Sequence, residues 1–203
     1  VKTGSYNEQV RITASGTASN PIIFQSQAGN RDSVTLLFAA TSAANNYVVK
    51  LDSADYVTFQ NMSFNATGTS FATVFYLTGG ADNNSIKNNN LSGFSTGSSS
   101  SNFALIFSYL TSEDFTEISG NNFSNAGWGV VLIGVNTTTQ SNGTRVLNNT
   151  FNVGYGGVYL QHQDSPYING NVITSNYRGI ELYDADDSLQ VQKNRIVLSG
   201  QAY

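Results

Sequence analysis

The chain has no cysteine, two prolines, and one residue each of histidine, methionine and tryptophan among its 203 residues. Without cysteine there is no disulfide framework and no thiolate metal site. Charge is scarce as well: Asp, Glu, Lys and Arg make up 11% of the chain, against about a quarter in ordinary globular proteins. The net charge of −4 argues against a nucleic-acid groove and against a patch for anionic membranes. No apolar run is long enough to cross a bilayer, and no stretch carries the spacing of an amphipathic helix.

What is present is a repeat. Ile86-Lys87-Asn88-Asn89-Asn90-Leu91, Ile118-Ser119-Gly120-Asn121-Asn122-Phe123, Val146-Leu147-Asn148-Asn149-Thr150-Phe151, Ile168-Asn169-Gly170-Asn171-Val172-Ile173 and Val191-Gln192-Lys193-Asn194-Arg195-Ile196 all read apolar, two residues, Asn, one residue, apolar. The interval between aligned Asn residues falls from 32 to 28 residues and then to 22 and 23. A fixed period of that length is the mark of a solenoid. Phe59-Gln60-Asn61-Met62-Ser63-Phe64 fits the same template with Met62 in the Asn place.

A second register lies upstream of each Asn. The pairs Val49/Leu51, Phe75/Leu77, Leu105/Phe107, Val130/Leu132, Val158/Leu160 and Ile180/Leu182 alternate with period two, and the last three follow Gly129, Gly157 and Gly179. Such alternation, bounded by Gly, Asn, Asp and Ser, predicts short strands. A coil of this length holds about three of them, each pairing in parallel with its counterpart about 4.8 Å away. The prediction is an all-β, right-handed parallel β-helix solenoid with about 22–30 residues per coil. The repeated Asn suits the bends, because Asn tolerates the left-handed region and can satisfy stray backbone groups. Stacked, Asn89, Asn121, Asn149, Asn171 and Asn194 should form an amide ladder that begins at Asn89.

With this repeat, the chain resembles the right-handed parallel β-helix superfamily of pectate lyases, polygalacturonases and phage tailspikes. It is most similar to β-helix repeats of large secreted or surface proteins of Bacteroidota-type bacteria. The opening Gly4-Ser5-Tyr6-Asn7-Glu8-Gln9-Val10-Arg11-Ile12 and Gly16-Thr17-Ala18-Ser19-Asn20-Pro21-Ile22-Ile23-Phe24 resembles the first coil of such repeats. The resemblance implies an extracellular or cell-surface location. All 203 residues are expected to form one domain, cut from a longer chain, with flanking coils or a neighbouring subunit at its open ends. The chain stops at Gly200-Gln201-Ala202-Tyr203, about where another strand would start. The period stretches at two polar insertions, Gly93 to Asn102 and Asn136 to Gly143, which could wall a groove or simply decorate the coil.

Chemistry has one candidate cluster. If Leu160 stacks on Leu182, His162 lies over Asp184 and Asp164 over Asp186, with Asp187 and Arg178 near. Enzymes of the resembled superfamily use carboxylates beside a basic residue as general acid and base, or to hold calcium, the one cofactor that the cluster suggests. The polygalacturonase signatures, a Gly-His-Gly and an Arg-x-Lys, are absent around His162. The competing reading makes Asp164, Asp186 and Asp187 turn residues, as Asp52, Asp55 and Asp82 are in earlier coils. Binding has a broader candidate: one outward row should run Lys50, Tyr76, Ile106, Val131, Tyr159, Glu181 and a second Asp52, Thr78, Ser108, Ile133, Gln161, Tyr183. Tyr76, Tyr159 and Tyr183, with Trp128, Tyr155 and Tyr177 near the strand starts, would suit a polysaccharide or cell-surface glycan, rings meeting its apolar faces and polar groups its hydroxyls. Aromatic residues also favour pleated surfaces for packing alone. The expectation is therefore a non-enzymatic extracellular scaffold or adhesive module without a resident cofactor, for which glycan binding by the aromatic face is one option and calcium the one candidate ion. The alternative is a polysaccharide lyase or glycoside hydrolase acting through His162, Asp164, Asp184 and Asp186.

Overall fold

The computed structural model describes residues 1–200 and winds them through three parallel sheets in constant order. A broad sheet takes Val10–Ile12, Val49–Asp52, Phe75–Thr78, Ala104–Tyr109, Trp128–Ile133, Gly156–Asp164 and Arg178–Asp186. A middle sheet follows it in each coil, from Ile22–Gln25 to Gln190–Gln192, and then a return sheet, from Gly4–Asn7 to Arg195–Leu198. Neighbouring coils pair in parallel. This is the predicted parallel β-helix. Two single-turn 3-10 helices, Ala43–Asn45 and Ser101–Phe103, are the helical elements among the described residues. The expected restart at 201–203 lies outside the described residues.

The core is a set of like-on-like columns. Phe64, Leu91, Phe123, Phe151 and Ile173 stack through the return sheet, with the Phe123 and Phe151 rings 4.3 Å apart. Phe59, Ile86, Ile118, Val146 and Ile168 stack through the middle sheet. All ten are at most 2% exposed, each worth about 1.5–3 kcal/mol of burial. Near the start of several broad-sheet strands two consecutive residues face inward, as in Val48-Val49, Val74-Phe75 and Leu105-Ile106, all fully buried. Glycine takes the first of these places in the later coils. A Cβ on Gly157 would lie 2.6 Å from Ile173 Cγ2 and 2.7 Å from the Gly179 carbonyl, so the close approach of coil to coil requires its absence.

That double inward step corrects the expected register at Ala104–Tyr109. Ile106 pairs with Phe75 and Val130 and is buried, while Phe107 pairs with Tyr76 and Val131 and faces outward. Ser108 turns inward beside Leu132, and Tyr109, not Ser108, joins Ile133 in the outward row. Counting the alternation from Leu105 shifted the phase by one residue, because Leu105 is the first member of the doubled step.

The Asn ladder is present. The backbone N–H of Met62 donates to Asn89 Oδ1, that of Asn89 to Asn121 Oδ1, and so on to Asn194. Side-chain amides link Asn121 to Asn149, Asn149 to Asn171 and Asn171 to Asn194 at 3.1, 3.0 and 2.9 Å. The left-handed residue is not the ladder Asn, as expected, but the one before it: Asn61, Asn88, Gly120, Asn148, Gly170 and Lys193 all have positive φ. The bend is made there, and it turns the next side chain into the core.

A second ladder runs down the corner between the broad and middle sheets. The N–H of Asp82 donates to Asp55, that of Asp114 to Asp82 and that of Asn142 to Asp114, each at 2.8 Å. Asp164 and Asp186 fall in the same column by register. Left-handed residues follow each member, among them Tyr56, Asn83, Phe115, Ser165 and Asp187. Asp52 is an exception to its expected turn role: it ends a strand between Arg11 and Lys50, in ion-pair contact with both.

Candidate functional site

The outward face of the broad sheet carries the candidate site, and the two polar insertions flank it. The first insertion lies across the strand starts: Trp128 Nε1 donates to the Ser99 carbonyl at 3.0 Å, and Ser98 and Thr96 carbonyls sit where Gly127 and Gly154 lack side chains. The second lies across the strand ends. Its Ser141–Asn142 pairs with Gln163–Asp164, and Gln140 Nε2 donates to Asp186 Oδ2 at 2.7 Å and to the Asp184 carbonyl at 3.2 Å. The two insertions thus pack against opposite ends of these strands.

Two adjoining pockets lie on this face, both lined in part by the first insertion. One, of about 210 Å³, is lined by Ser99, Ser101, Trp128, Val131, Ile133 and Tyr159. The other, of about 340 Å³, includes Lys50, Tyr76, Phe107 and Asn102 in its lining. Ser101 lines both, so the 3-10 turn that carries it divides a single aromatic trough along the solenoid.

The six aromatic residues singled out from sequence differ in what they present. Trp128 is 6% exposed, closed over by the first insertion, and forms wall rather than platform. Tyr155 is clasped between Trp128 and Tyr177, 5.0 and 5.2 Å between centroids. Tyr76 is half-buried between the Lys50 ammonium, 5.3 Å from its centroid, and the Phe107 ring at 5.6 Å. Tyr159 is half-buried, with its hydroxyl donating to Gln161 Oε1 at 2.7 Å. Burial and the nearby Glu181, Tyr183 and Asp184 raise its phenol pKa, so it stays neutral and able to donate. Tyr177 and Tyr183 are the open rings, 43% and 60% exposed. Phe107 and Tyr109 belong to the same face and were missed through the register shift.

The four residues of the candidate catalytic cluster are brought together in two pairs. His162 and Asp184, both in the left-handed region, stand beside each other with Nδ1 3.2 Å from Oδ2. The His162 Nε2 is 3.2 Å from Gln161 Nε2. Asp164 and Asp186 are paired in register, but both carboxylates are engaged, Asp164 by the Ser165 hydroxyl at 2.8 Å and Asp186 by Gln140. Among the described residues no group of three or more His, Cys, Asp or Glu side chains is placed to hold a metal ion.

A different carboxyl is perturbed. Glu113 is 2% exposed, and burial pushes its pKa up to about 7. Its Oε1 accepts from Thr111 at 2.7 Å, and its Oε2 has no hydrogen-bond partner among the described residues.

The profile of the family described as "Periplasmic copper-binding protein (NosD)" matches residues 109–202, just under half of the chain. The chain is also similar to the crystal structure of alginate lyase from Paenibacillus sp. str. FPU-7, at 14% identity over 92% of this chain and 91% of that one, with a TM-score of 0.45. No curated protein sequence matches.

Proposed function

We propose that the protein is a non-enzymatic extracellular or cell-surface β-helix module that binds a glycan along the outward face of its broad sheet. The observation that carries this reading is the divided trough: two adjoining pockets with Tyr76, Phe107, Trp128 and Tyr159 in their linings, and Ser101 shared between them. Aromatic floor with hydroxyl and amide rim matches the two-sided chemistry of a sugar ring. Tyr183 and Tyr177, open at the far end, extend the platform beyond the pockets. A location outside the cytoplasm is supported by the family profile, whose own description is periplasmic, and by a surface of Asn, Ser and Thr in place of charge. Affinity electrophoresis in gels cast with neutral and acidic polysaccharides tests the reading. Retardation by at least one polymer, lost in Tyr159→Ala and Tyr183→Ala, supports it; equal mobility in every gel removes the glycan and leaves only the scaffold.

A second reading, polysaccharide cleavage, has one observation in its favour: His162 and Asp184 adjoin Tyr159 and Gln161 at the edge of the same trough. Against it stands the use of Asp164 and Asp186 in the corner column, where their hydrogen bonds brace the insertion and the bend. A lyase or glycosidase needs a free acid and base set about the scissile bond.

A further inference from the structure

The corner between the middle and return sheets takes two residues in each of the later coils, for example Asn88-Asn89 and Gly120-Asn121. In the first coil it takes Ser26–Ser33 instead, between Ile22–Gln25 and Val34–Phe38. This third insertion leans along the solenoid, so that Arg31 Nη1 reaches the carbonyl of Gly120 at 3.5 Å, three coils on. Beneath it lies a cleft of about 830 Å³ lined by Arg31, Asp32, Asn61, Asn88, Asn90 and Asn122. The trough on the broad sheet is on another face of the coil.

The cleft is built rather than incidental. The Ser26 and Ser33 hydroxyls bond at 2.5 Å, and Ser33 and Asp32 are tied back to Asn30 at 2.7 and 3.0 Å. Ser63 donates to the Arg31 carbonyl at 2.8 Å, and Asn90 Nδ2 donates to Asp32 Oδ1 at 2.7 Å, fixing the roof to the wall. Asn122 Nδ2 donates to Asn90 Oδ1 at 3.0 Å. Neither Asn61 nor Asn88 enters this network. Arg31 forms no ion pair among the described residues, whereas Arg11, Lys50, Lys87 and Arg178 each face a carboxylate.

We propose that this cleft is a second ligand site, which binds a carboxylate-bearing sugar unit of a glycan. The guanidinium offers the planar fork that pairs with a carboxylate. Asn61 and Asn88, outside that network and one coil spacing of about 4.8 Å apart, offer amide donors and acceptors to vicinal hydroxyls, and Asn122 adds its Oδ1. Arg31 is the cation of a cleft whose one carboxylate, Asp32, is engaged by Asn90, so the guanidinium selects a single anionic group set in a polyol over a dense polyanion. The cleft carries no aromatic ring, so it differs in kind from the trough and does not depend on it.

The test titrates a short oligouronate, a neutral oligosaccharide of equal length and oligo-aspartate into the full chain, by calorimetry and amide chemical shifts. It is run on the native protein and on Tyr183→Ala, so that failure of the trough leaves the cleft measurable. Oligouronate should shift amides around Asn88, Asn90 and Asn122 in both backgrounds. Arg31→Ala should weaken that site at least tenfold, Arg31→Lys less, and raised salt should weaken it in all but Arg31→Ala. Asn122→Ala, with Arg31 intact, should weaken it severalfold and serves if an Arg31 variant melts abnormally. Absence of shifts at those amides, binding untouched by Arg31→Ala, or equal occupancy by the neutral oligosaccharide or oligo-aspartate overturns the proposal.

Discussion

Asn149 gives both its backbone N–H and its side-chain Nδ2 to one atom, Oδ1 of Asn171, at 2.9 and 3.0 Å. Asn171 in turn donates its own Nδ2 to the Val146 carbonyl at 2.8 Å. Both residues are at most 1% exposed, beyond the reach of water. Replacing Asn171 by Leu orphans two buried donors and a carbonyl, and an unsatisfied buried group costs about 1–3 kcal/mol. Denaturant unfolding of Asn171→Leu should show a loss on the order of 3 kcal/mol; an unchanged midpoint would show that the ladder carries no stability.

Glu113 predicts a pH dependence. Its pKa is raised in the folded chain from 4.5 to about 7, so the unfolded chain gives up the proton first. The stability it supports is full below pH 4.5 and falls as pH rises toward 7, by about 3 kcal/mol at 1.36 kcal/mol per pKa unit. Glu113→Gln, which stays neutral, should lack that component and be more stable than the native chain at pH 8. Equal pH profiles for the two proteins would contradict it.

Gly157→Ala should destabilise by about 1–3 kcal/mol through overpacking, since the new Cβ meets both Ile173 and the backbone of the next coil. Gly29→Ala is the control. Gly29 has nothing within 4 Å of a Cβ, and only its φ of +66 resists the change, so its cost should be about 1 kcal/mol. Thermal melts of the two variants should separate in that order.

The coil was legible because its signal is redundant: Asn89, Asn121, Asn149 and Asn171 repeat with flanking apolar residues, and each copy confirms the others. The phase of Ala104–Tyr109 was not, since Ala104, Leu105, Ile106 and Phe107 are all apolar and give alternation no polar partner to count against. The placing of His162 beside Asp184 followed from strand alignment alone. The burial of Trp128 did not, because it depends on where the Ser95–Ser101 segment folds back. The Ser26–Ser33 loop escaped notice because the first coil lacks the Asn that marks the corner in later ones.

The broad-sheet trough is proposed to bind a glycan without cleaving it. Incubating the protein with acidic and neutral polysaccharides, with and without calcium, and following retention on the polymer and release of new chain ends in one sample tests this most directly. The native protein should be retained, Tyr183→Ala and Tyr159→Ala should not, and no new ends should form under any condition. New ends formed by the native protein and lost in Asp184→Ala or Asp186→Ala would contradict it.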